Sequence, residues 1–168
     1  MKAIVAADPD WGIGKDGNLL AHIPEDMKYF RNMTAGAVLI MGRKTLESFP
    51  GGKPLKNRVN IVITRNPDYQ VPGAETVHSA AEAEAAARRY PDREVFVAGG
   101  GEIYKEMLPL CGTVYVTKIG KRFDADTFFP DLDRDPEWTE TDPGELLESG
   151  GIPYRFTVYS RTGDVSPG

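Results

Sequence analysis

Short apolar runs rich in valine and isoleucine alternate along this chain with segments that have the periodicity of amphipathic helices. The apolar runs have the length and β-branched content of buried strands, and they predict strands at Lys2–Ala7, Val38–Met41, Val59–Thr64, Glu94–Ala98, Thr113–Ile119 and Arg155–Tyr159. Helices are predicted between them at Pro24–Met33, Arg43–Ser48, Ala80–Arg89 and Glu102–Leu108. This alternation is typical of an α/β fold with a central mixed and mostly parallel sheet flanked by helices.

The length of 168 residues predicts a single domain. A chain of this size buries roughly 70% of the surface that its unfolded form exposes, so folding does not require a metal or a disulfide. We place the domain at residues 1–160 and a flexible C-terminal tail at residues 161–168. The acidic stretch Asp131–Glu148 is interpreted as a solvated connection with an edge strand at Trp138–Thr141.

The charge balance argues against some classes of partner. The chain has 20 lysines and arginines against 25 aspartates and glutamates, a net charge of -5, whereas proteins that bind nucleic acids or membrane surfaces carry clustered basic residues. With Cys111 as the single cysteine and only two histidines, neither a disulfide nor a zinc site is expected, and the expected compartment is a reducing cytoplasm. The apolar stretch at the N-terminus is too short for a secretion signal or a membrane span, so the mature protein is expected to begin at Met1.

Glycines and cations follow three of the predicted strands, at the carboxyl ends where open α/β sheets bind ligands. Gly99–Gly101 follow the strand that ends at Ala98, Gly42–Thr45 follow the second strand, and Thr64 and Arg65 stand at the end of the third. Glycines allow the backbone to approach a phosphate closely, and the bases suit a pyrophosphate with an additional phosphate, which favours NADP over NAD. The alternatives are a plain tight turn for the glycines and solvated positions for the cations.

Asp26 lies on the apolar stripe of the first predicted helix. The spacing i, i+4, i+7 places it on one face with Phe30 and Met33. A carboxylate in an apolar pocket has a raised pKa and can hold a planar amidine-like group through two parallel hydrogen bonds. The alternative is favourable placement in the first turn of a helix that begins at Pro24.

Three further residues carry weaker signals. Thr117 lies in an alternating strand, where threonine is usually structural. Arg58 precedes a buried strand and could bind a carboxylate with two hydrogen bonds, although a surface arginine is commoner. Cys111 is interpreted as an inert buried thiol.

Seven motifs follow one another along the chain. They are Ile13-Gly14, Ile23-Pro24-Glu25-Asp26, Met41-Gly42-Arg43-Lys44-Thr45, Arg58 before Asn60-Ile61-Val62, Ala98-Gly99-Gly100-Gly101-Glu102-Ile103-Tyr104, Tyr115-Val116-Thr117-Lys118-Ile119 and Asp126-Thr127-Phe128-Phe129-Pro130. In this order and spacing the set resembles bacterial dihydrofolate reductase, from Ile4 to about Tyr159. The resemblance implies NADPH-dependent reduction of 7,8-dihydrofolate to 5,6,7,8-tetrahydrofolate, a reaction of one-carbon metabolism, by an enzyme that is an antifolate target. The small size and ordinary apolar fraction of the chain make a monomer the default expectation.

The resemblance also implies roles for individual residues. Asp26 would hold the 2-amino group and a ring nitrogen of the pterin, with Thr117 hydrogen-bonded to that pair. The backbone carbonyls of Ile4 and Ala98 would border the pterin, and Arg58 would bind the α-carboxylate of the glutamate. The walls around the p-aminobenzoyl ring would be Phe30, Phe49 and Leu55.

On the cofactor side, the resemblance implies contacts from four parts of the chain. Nicotinamide contacts would come from Ala6, Ile13 and Gly14. Phosphate contacts would come from Gly42, Arg43, Lys44 and Thr45, with Thr64 and Arg65 near the 2′-phosphate. The pyrophosphate turn would be Gly99, Gly100 and Gly101, with a cis Gly-Gly bond, followed by Glu102, Ile103 and Tyr104.

The chain departs from the family at Ala21, where the family usually has a tryptophan that helps to hold a water near the acid and the pterin. With alanine at this position, the resemblance does not extend to the placement of that water or to the closure of the Ile13–Leu20 loop. The neighbouring His22 is expected to face solvent. Two other functions stay open. One is a related-fold NADPH-dependent reductase of a riboflavin-pathway pyrimidine, which would require neither Asp26 nor Arg58, and the other is a non-catalytic NADP-binding module.

Overall fold

The structure is a computed structural model, and it describes residues 1–17 and 19–164. Its helices are α1 (Pro24–Thr34), α2 (Arg43–Glu47), α3 (Ala80–Ala87) and α4 (Gly101–Met107). Its strands are β1 (Lys2–Ala7), β2 (Gly12–Gly14), β3 (Val38–Gly42), β4 (Val59–Ile63), β5 (Ala74–Val77), β6 (Val95–Val97), β7 (Thr113–Ile119), β8 (Thr127–Phe128), β9 (Trp138–Asp142), β10 (Leu147–Ser149) and β11 (Ile152–Arg161). Every strand and helix predicted above therefore forms, with end points that differ by at most a few residues.

One large sheet carries the fold. Its strand order within the described residues is β10-β11-β7-β1-β6-β3-β4-β5, and β9 pairs with β11. The six strands from β7 to β5 pair in parallel, whereas β11 runs antiparallel to β7 and to both β9 and β10. The predicted mixed, mostly parallel sheet in an α/β fold is confirmed.

Alternation along the central strands separates two apolar cores. Val38 and Ile40 of β3 face the core under α3 and α4, whereas Leu39 and Met41 face the core under α1. All four side chains are 0% exposed, which is why β3 reads as a continuous apolar run rather than an alternating one. Phe30 and Met33 of α1 pack into this second core, so the helix face that also includes Asp26 is turned toward the sheet.

Four strands were not predicted, namely β2, β5, β8 and β10. β5 reads Ala-Glu-Thr-Val and buries only Val77, so its apolar pattern is weak. β2, β8 and β10 are two or three residues long. The predicted edge strand in the acidic stretch is confirmed as β9, and this stretch also contains the start of β10.

The predicted domain boundary at residue 160 stays a prediction. Arg161 is the last residue of β11, its guanidinium lies 4.5 Å from the Trp138 ring centroid, and residues 162–164 form a 3-10 turn. Residues 165–168 of the predicted tail lie outside the described residues. No helix in the described ranges is both long and apolar enough to cross a membrane.

Candidate active site

The carboxyl ends of the parallel strands meet along one edge of the sheet. The chain leaves β3 at Gly42, β4 at Ile63, β6 at Val97 and β5 at Val77, and the segments that follow line a cleft of about 1060 Å³. Most of the predicted cofactor residues line this cleft, namely Gly42, Arg43, Lys44, Thr45, Thr64, Arg65, Gly100, Gly101, Glu102 and Ile103. The structure therefore brings together three segments that are far apart in the sequence.

Two glycines at this edge stand where a side chain would collide with its neighbours. The Gly99–Gly100 peptide bond is cis, as the resemblance implies, and the Gly42 N–H donates to the Gly99 carbonyl over 2.8 Å. A Cβ on Gly42 would lie 3.2 Å from Ile103 Cγ1, and a Cβ on Gly101 would lie 2.7 Å from Thr127 Cγ2. This close backbone packing beside an open cleft fits the pyrophosphate of a dinucleotide.

Exposed cations stand at the rim of the same cleft. Arg43, Lys44 and Arg65 are all exposed, and the Arg43 guanidinium lies 6.0 Å from the centroid of the Tyr69 ring. No residue from Asp131 to Glu148 lines the cleft, so the acidic stretch lies apart from these bases. The net negative charge of the chain is therefore compatible with an anionic ligand at this edge.

Some residues of the cleft were not among the predicted contacts. They include His78 and Ser79 beyond β5, and Asp126, Thr127 and Phe128 around β8. The His78 ring Nδ1 lies 2.9 Å from the Thr64 carbonyl oxygen, and Ser79 caps α3 by accepting the Glu82 N–H over 3.1 Å. The capping pattern at Ser79 is visible in the sequence, but the position of His78 depends on recognising β5 as a strand.

Asp26 of α1 and Thr117 of β7 form a pair that is not among the residues lining the cleft. Asp26 is half-buried in the first turn of α1, and its Oδ1 accepts a hydrogen bond of 2.6 Å from the Thr117 hydroxyl. Burial raises the pKa of the Asp26 carboxyl, and the hydrogen bond from Thr117 opposes that rise. The pair can therefore present an oriented carboxylate to a planar cationic group.

The apolar residues predicted around the substrate lie together. Phe30, Phe49, Leu55 and Ala98 pack against the cluster that contains Ile4, and the rings of Phe30 and Phe49 are 6.3 Å apart. The Ile4 carbonyl accepts a hydrogen bond of 2.6 Å from the hydroxyl of Tyr104, so this predicted border of the pterin is held in place.

Arg58 is held rigidly at the outer end of this apolar wall. Its Nε donates to Thr34 Oγ1 over 3.1 Å, its Nη2 donates to the Arg31 carbonyl over 2.6 Å, and its Nη1 donates to the Lys56 carbonyl. Burial, and then the charge of Arg31, lower the pKa of the Arg58 guanidinium. A half-buried, fixed cation of this kind suits a carboxylate ligand better than a freely solvated arginine does.

Of the predicted nicotinamide residues, Ala6 lies beside the Asp26–Thr117 pair. Ala6 of β1 is the register partner of Thr117 in β7. Ile13 packs against the main core, and the Gly14 carbonyl accepts the Asp126 N–H over 2.9 Å. The register of β1 and β7 therefore brings one predicted cofactor contact, Ala6, next to the hydrogen-bond partner of Asp26.

Ala21, where the chain departs from the family's tryptophan, lies in a small apolar cluster. Ala21 packs with Ile23, Ile119 and Tyr154, and His22 is exposed as expected. Asn18, which belongs to the predicted loop Ile13–Leu20, lies outside the described residues. Cys111 is buried, and burial raises the pKa of its thiol to about 11, in agreement with an inert role.

A second cavity of about 440 Å³ contains none of the predicted site residues. It is lined by the chain after β1 and by β7 and β11, including Trp11, Lys118, Leu146 and Arg155. The candidate active site is therefore the cleft at the sheet edge together with the Asp26–Thr117 pair.

Comparison with known proteins identifies the family to which the chain belongs. A family model described as dihydrofolate reductase matches residues 1–161. The chain belongs to the dihydrofolate reductase family. This match takes in all of the large sheet and both parts of the candidate site, so the family is shown for the chain almost in its entirety.

Individual relatives of this dihydrofolate reductase family member agree. The chain is 36% identical over 167 residues to the dihydrofolate reductase of Bacillus subtilis (strain 168), covering 98% of this chain and 96% of the relative. It is 40% identical over 157 residues to that of Neisseria gonorrhoeae, covering 93% and 94%. A solved dihydrofolate reductase from Enterococcus faecalis, described as complexed with NADP(H) and RAB-propyl, matches with a TM-score of 0.83 and 39% identity, over 96% of this chain and 95% of that one.

Proposed function

We propose that this chain catalyses the NADPH-dependent reduction of 7,8-dihydrofolate to 5,6,7,8-tetrahydrofolate. The observation that carries the proposal is the Asp26–Thr117 pair, at 2.6 Å, in a fold that also holds an apolar wall and a glycine-lined cleft. The family and its NADP(H)-complexed member from Enterococcus faecalis support both the reaction and the cofactor.

Asp26 orients the substrate in this proposal. Its carboxylate accepts hydrogen bonds from the 2-amino group and a ring nitrogen of the pterin, while the Thr117 hydroxyl fixes the carboxylate from the other side. The negative charge of Asp26 also favours the protonated pterin ring, although N5 takes its proton from water. The carbonyls of Ile4 and Ala98 border the pterin, with Tyr104 holding the Ile4 carbonyl.

The remainder of the substrate follows the apolar wall outward. Phe30, Phe49 and Leu55 contact the p-aminobenzoyl ring. Arg58 then receives the α-carboxylate of the glutamate, and its three hydrogen bonds to the protein hold the guanidinium in position for that contact.

The cleft residues fit NADPH. When bound, NADPH supplies the hydride that C6 of the pterin accepts. Gly42 and Gly99–Gly101 provide the close backbone approach for the pyrophosphate, and Arg43, Lys44 and Thr45 provide phosphate contacts. Thr64 and Arg65 contact the 2′-phosphate, Glu102 and Ile103 complete the turn, and Ala6, Ile13 and Gly14 surround the nicotinamide.

The proposal is tested by following NADPH absorbance with dihydrofolate and, in parallel, with a ribosylated pyrimidine of the riboflavin pathway. Oxidation with dihydrofolate alone is expected. Turnover of the pyrimidine alone would favour the related-fold reductase, and tight NADPH binding without oxidation would favour a non-catalytic module.

Asp26→Asn tests the role of the acid in the same assay. Loss of a preorganised electrostatic contact of this kind costs about 10²–10³-fold in rate, and we expect that loss at pH 7 with partial recovery at acid pH, where the substrate is already protonated. Glu25→Gln is the matched control because Glu25 is the exposed acid next to it in the same turn. Turnover of Asp26→Asn near that of the control at pH 7 would contradict the assigned role.

The proposed assembly is a cytoplasmic monomer. Light scattering during gel filtration is expected to give a mass near 18.5 kDa. A mass twice as large would replace the monomer by a dimer without affecting the proposed reaction.

A further inference from the structure

Asp8 is a buried acid that the proposed mechanism does not use. It follows β1 directly and is 5% exposed. Its neighbour Asp10 is exposed and pairs with Arg122 at 3.2 Å, whereas none of the ion pairs found among the described residues includes Asp8. A carboxylate in this position needs hydrogen-bond donors to offset its loss of water.

Backbone N–H groups supply those donors. Oδ1 of Asp8 accepts the N–H of Asp10 over 2.9 Å and the N–H of Gly12 over 2.8 Å, and Oδ2 accepts the N–H of Phe123 over 3.1 Å. The Asp8 N–H donates to the Gly12 carbonyl, and the Trp11 N–H donates to the Asp8 carbonyl, each over 2.9 Å. One side chain thus closes the turn after β1 and joins it to the segment after β7.

The packing around Gly12 shows how closely these two segments meet. A Cβ on Gly12 would lie 2.5 Å from the Ala125 Cβ and 3.0 Å from both carboxylate oxygens of Asp8. Beyond this contact, β2 pairs with β8, and Phe129 N–H donates to the Trp11 carbonyl over 2.8 Å. The chain through Gly12 is therefore fixed between the Asp8 carboxylate and the segment that contains Ala125.

Ile13 and Gly14 follow Gly12 directly, and Ala6 precedes Asp8 by two residues. We propose that Asp8 is a positioning residue for hydride transfer, because its carboxylate fixes Ile13 and Gly14 relative to Ala6 and so sets the width of the nicotinamide pocket. This inference rests on the proposed function. Asp8 acts through the backbone and touches neither substrate nor cofactor.

The role requires a carboxylate rather than any polar side chain of the same size. Three N–H donors converge on two acceptor oxygens, and an asparagine has only one acceptor oxygen. In Asp8→Asn the amide oxygen can still accept the N–H groups of Asp10 and Gly12. The amide nitrogen then faces the Phe123 N–H, and because both groups are donors no hydrogen bond forms between them. The variant should keep the turn and lose the link to the segment after β7.

Asp10→Asn is the matched control. It removes the same charge from the same turn, but the Asp10 carboxylate bonds to Arg122 and to none of the three backbone donors. Because Asp10→Asn also removes the exposed pair with Arg122, a larger effect in Asp8→Asn than in this control reports the hydrogen bonds of Asp8 and not the charge of the turn.

The first measurement uses the protein without ligands. In Asp8→Asn, amide hydrogen exchange is expected to accelerate at Phe123 and to stay unchanged at Gly12, whereas Asp10→Asn should leave Phe123 at the wild-type rate. Equal protection of Phe123 in wild type and Asp8→Asn would overturn the proposed link.

The second measurement separates hydride transfer from binding. In single turnovers with NADPH and its deuterated form, Asp8→Asn should transfer hydride about tenfold or more slowly, since small displacements of reacting groups carry such costs, and the isotope effect on steady-state turnover should rise. The Kd of dihydrofolate should stay within about twofold of wild type, because the substitution leaves the Asp26–Thr117 pair and the apolar wall unchanged. A wild-type transfer rate, or an equal loss in Asp10→Asn, would overturn the inference.

A second variant of the same contact keeps the inference testable if Asp8→Asn does not fold. Gly12→Ala combined with Ala125→Gly relieves the 2.5 Å contact and leaves the 3.0 Å contact with the carboxylate, so Gly12 must move away from Asp8. Slower hydride transfer with unchanged dihydrofolate affinity would support the inference, and an unchanged rate would overturn it. If wild type itself does not oxidise NADPH with dihydrofolate, the proposed function fails, whereas the exchange measurement at Phe123 still stands.

Discussion

Thr117→Val isolates the hydrogen bond that holds Asp26. The threonine is 2% exposed, and its hydroxyl donates to Asp26 Oδ1 over 2.6 Å. Valine has nearly the same shape, so the substitution removes the donor and preserves the packing around β7. Because the hydrogen bond lowers the pKa of Asp26, its removal should raise that pKa further above the ordinary value of 3.8.

The expected cost depends on the charge of Asp26. A hydrogen bond to a charged group is worth about 1.5–3 kcal/mol, which for a chain of this size corresponds to a melting temperature about 3–12 °C lower at pH 7. Burial raises the folded-state pKa of Asp26, so ionising this carboxyl lowers the stability of the folded state. This loss of stability is absent below the unfolded pKa and complete above the raised folded pKa. The deficit of Thr117→Val should therefore shrink as the pH falls, toward the roughly 0.5–1.5 kcal/mol of a neutral hydrogen bond.

Thr157→Val is the matched control for this experiment. Thr157 is 1% exposed, and its hydroxyl donates to the neutral carbonyl of Val116 over 2.7 Å. Thermal unfolding from pH 3.5 to pH 8 should give a pH-independent deficit for the control and a pH-dependent one for Thr117→Val. Parallel curves for the two variants would refute the electrostatic coupling of Thr117 to Asp26.

Two predictions concern the cofactor cleft. Lys44→Ala and Arg65→Ala should each weaken NADPH binding by about fivefold or more while changing NADH binding little, measured by fluorescence titration; equal losses would contradict a 2′-phosphate contact. Gly101→Ala should weaken NADPH binding because its Cβ would lie 2.7 Å from Thr127 Cγ2, an overpacking cost of about 1–3 kcal/mol. Adding Thr127→Ser, which deletes that methyl group, should restore binding, and a double variant as weak as the single one would show that the clash is elsewhere.

Much of the fold could be predicted because the buried strands carry their signal locally. β1 and β7 form with the predicted end points, since their β-branched residues face two cores. β5 escaped prediction because it lies at the edge of the sheet and buries a single side chain, Val77. Missing that strand also hid His78, which follows its carboxyl end and contacts the Thr64 carbonyl.

The residues of the site were likewise predictable only where the signal is local in the sequence. The helical stripe placed Asp26 on an apolar face, but its partner Thr117 is 91 residues away and came only from the family resemblance. In the sequence, Asp8 is only one member of a polar turn. Its bonds to Asp10 and Gly12 form a local pattern typical of aspartate in turns, whereas the bond to Phe123 spans 115 residues and leaves no local trace.

The pairing of β1 with β7 determines how the two halves of the site meet. In the observed register Ala6 lies opposite Thr117, so the predicted nicotinamide contact and the partner of Asp26 are neighbours on one face. A slip by one residue would turn Thr117 to the opposite face and bring Val116 or Lys118 into its place. Such a slip would also turn away from the core the apolar side chains of β7 that now fill it, among them Val114 and Val116, at 0% and 1% exposure. Burial of these two valines, on the face opposite to the site, therefore fixes the register on which the alignment of donor and acceptor depends.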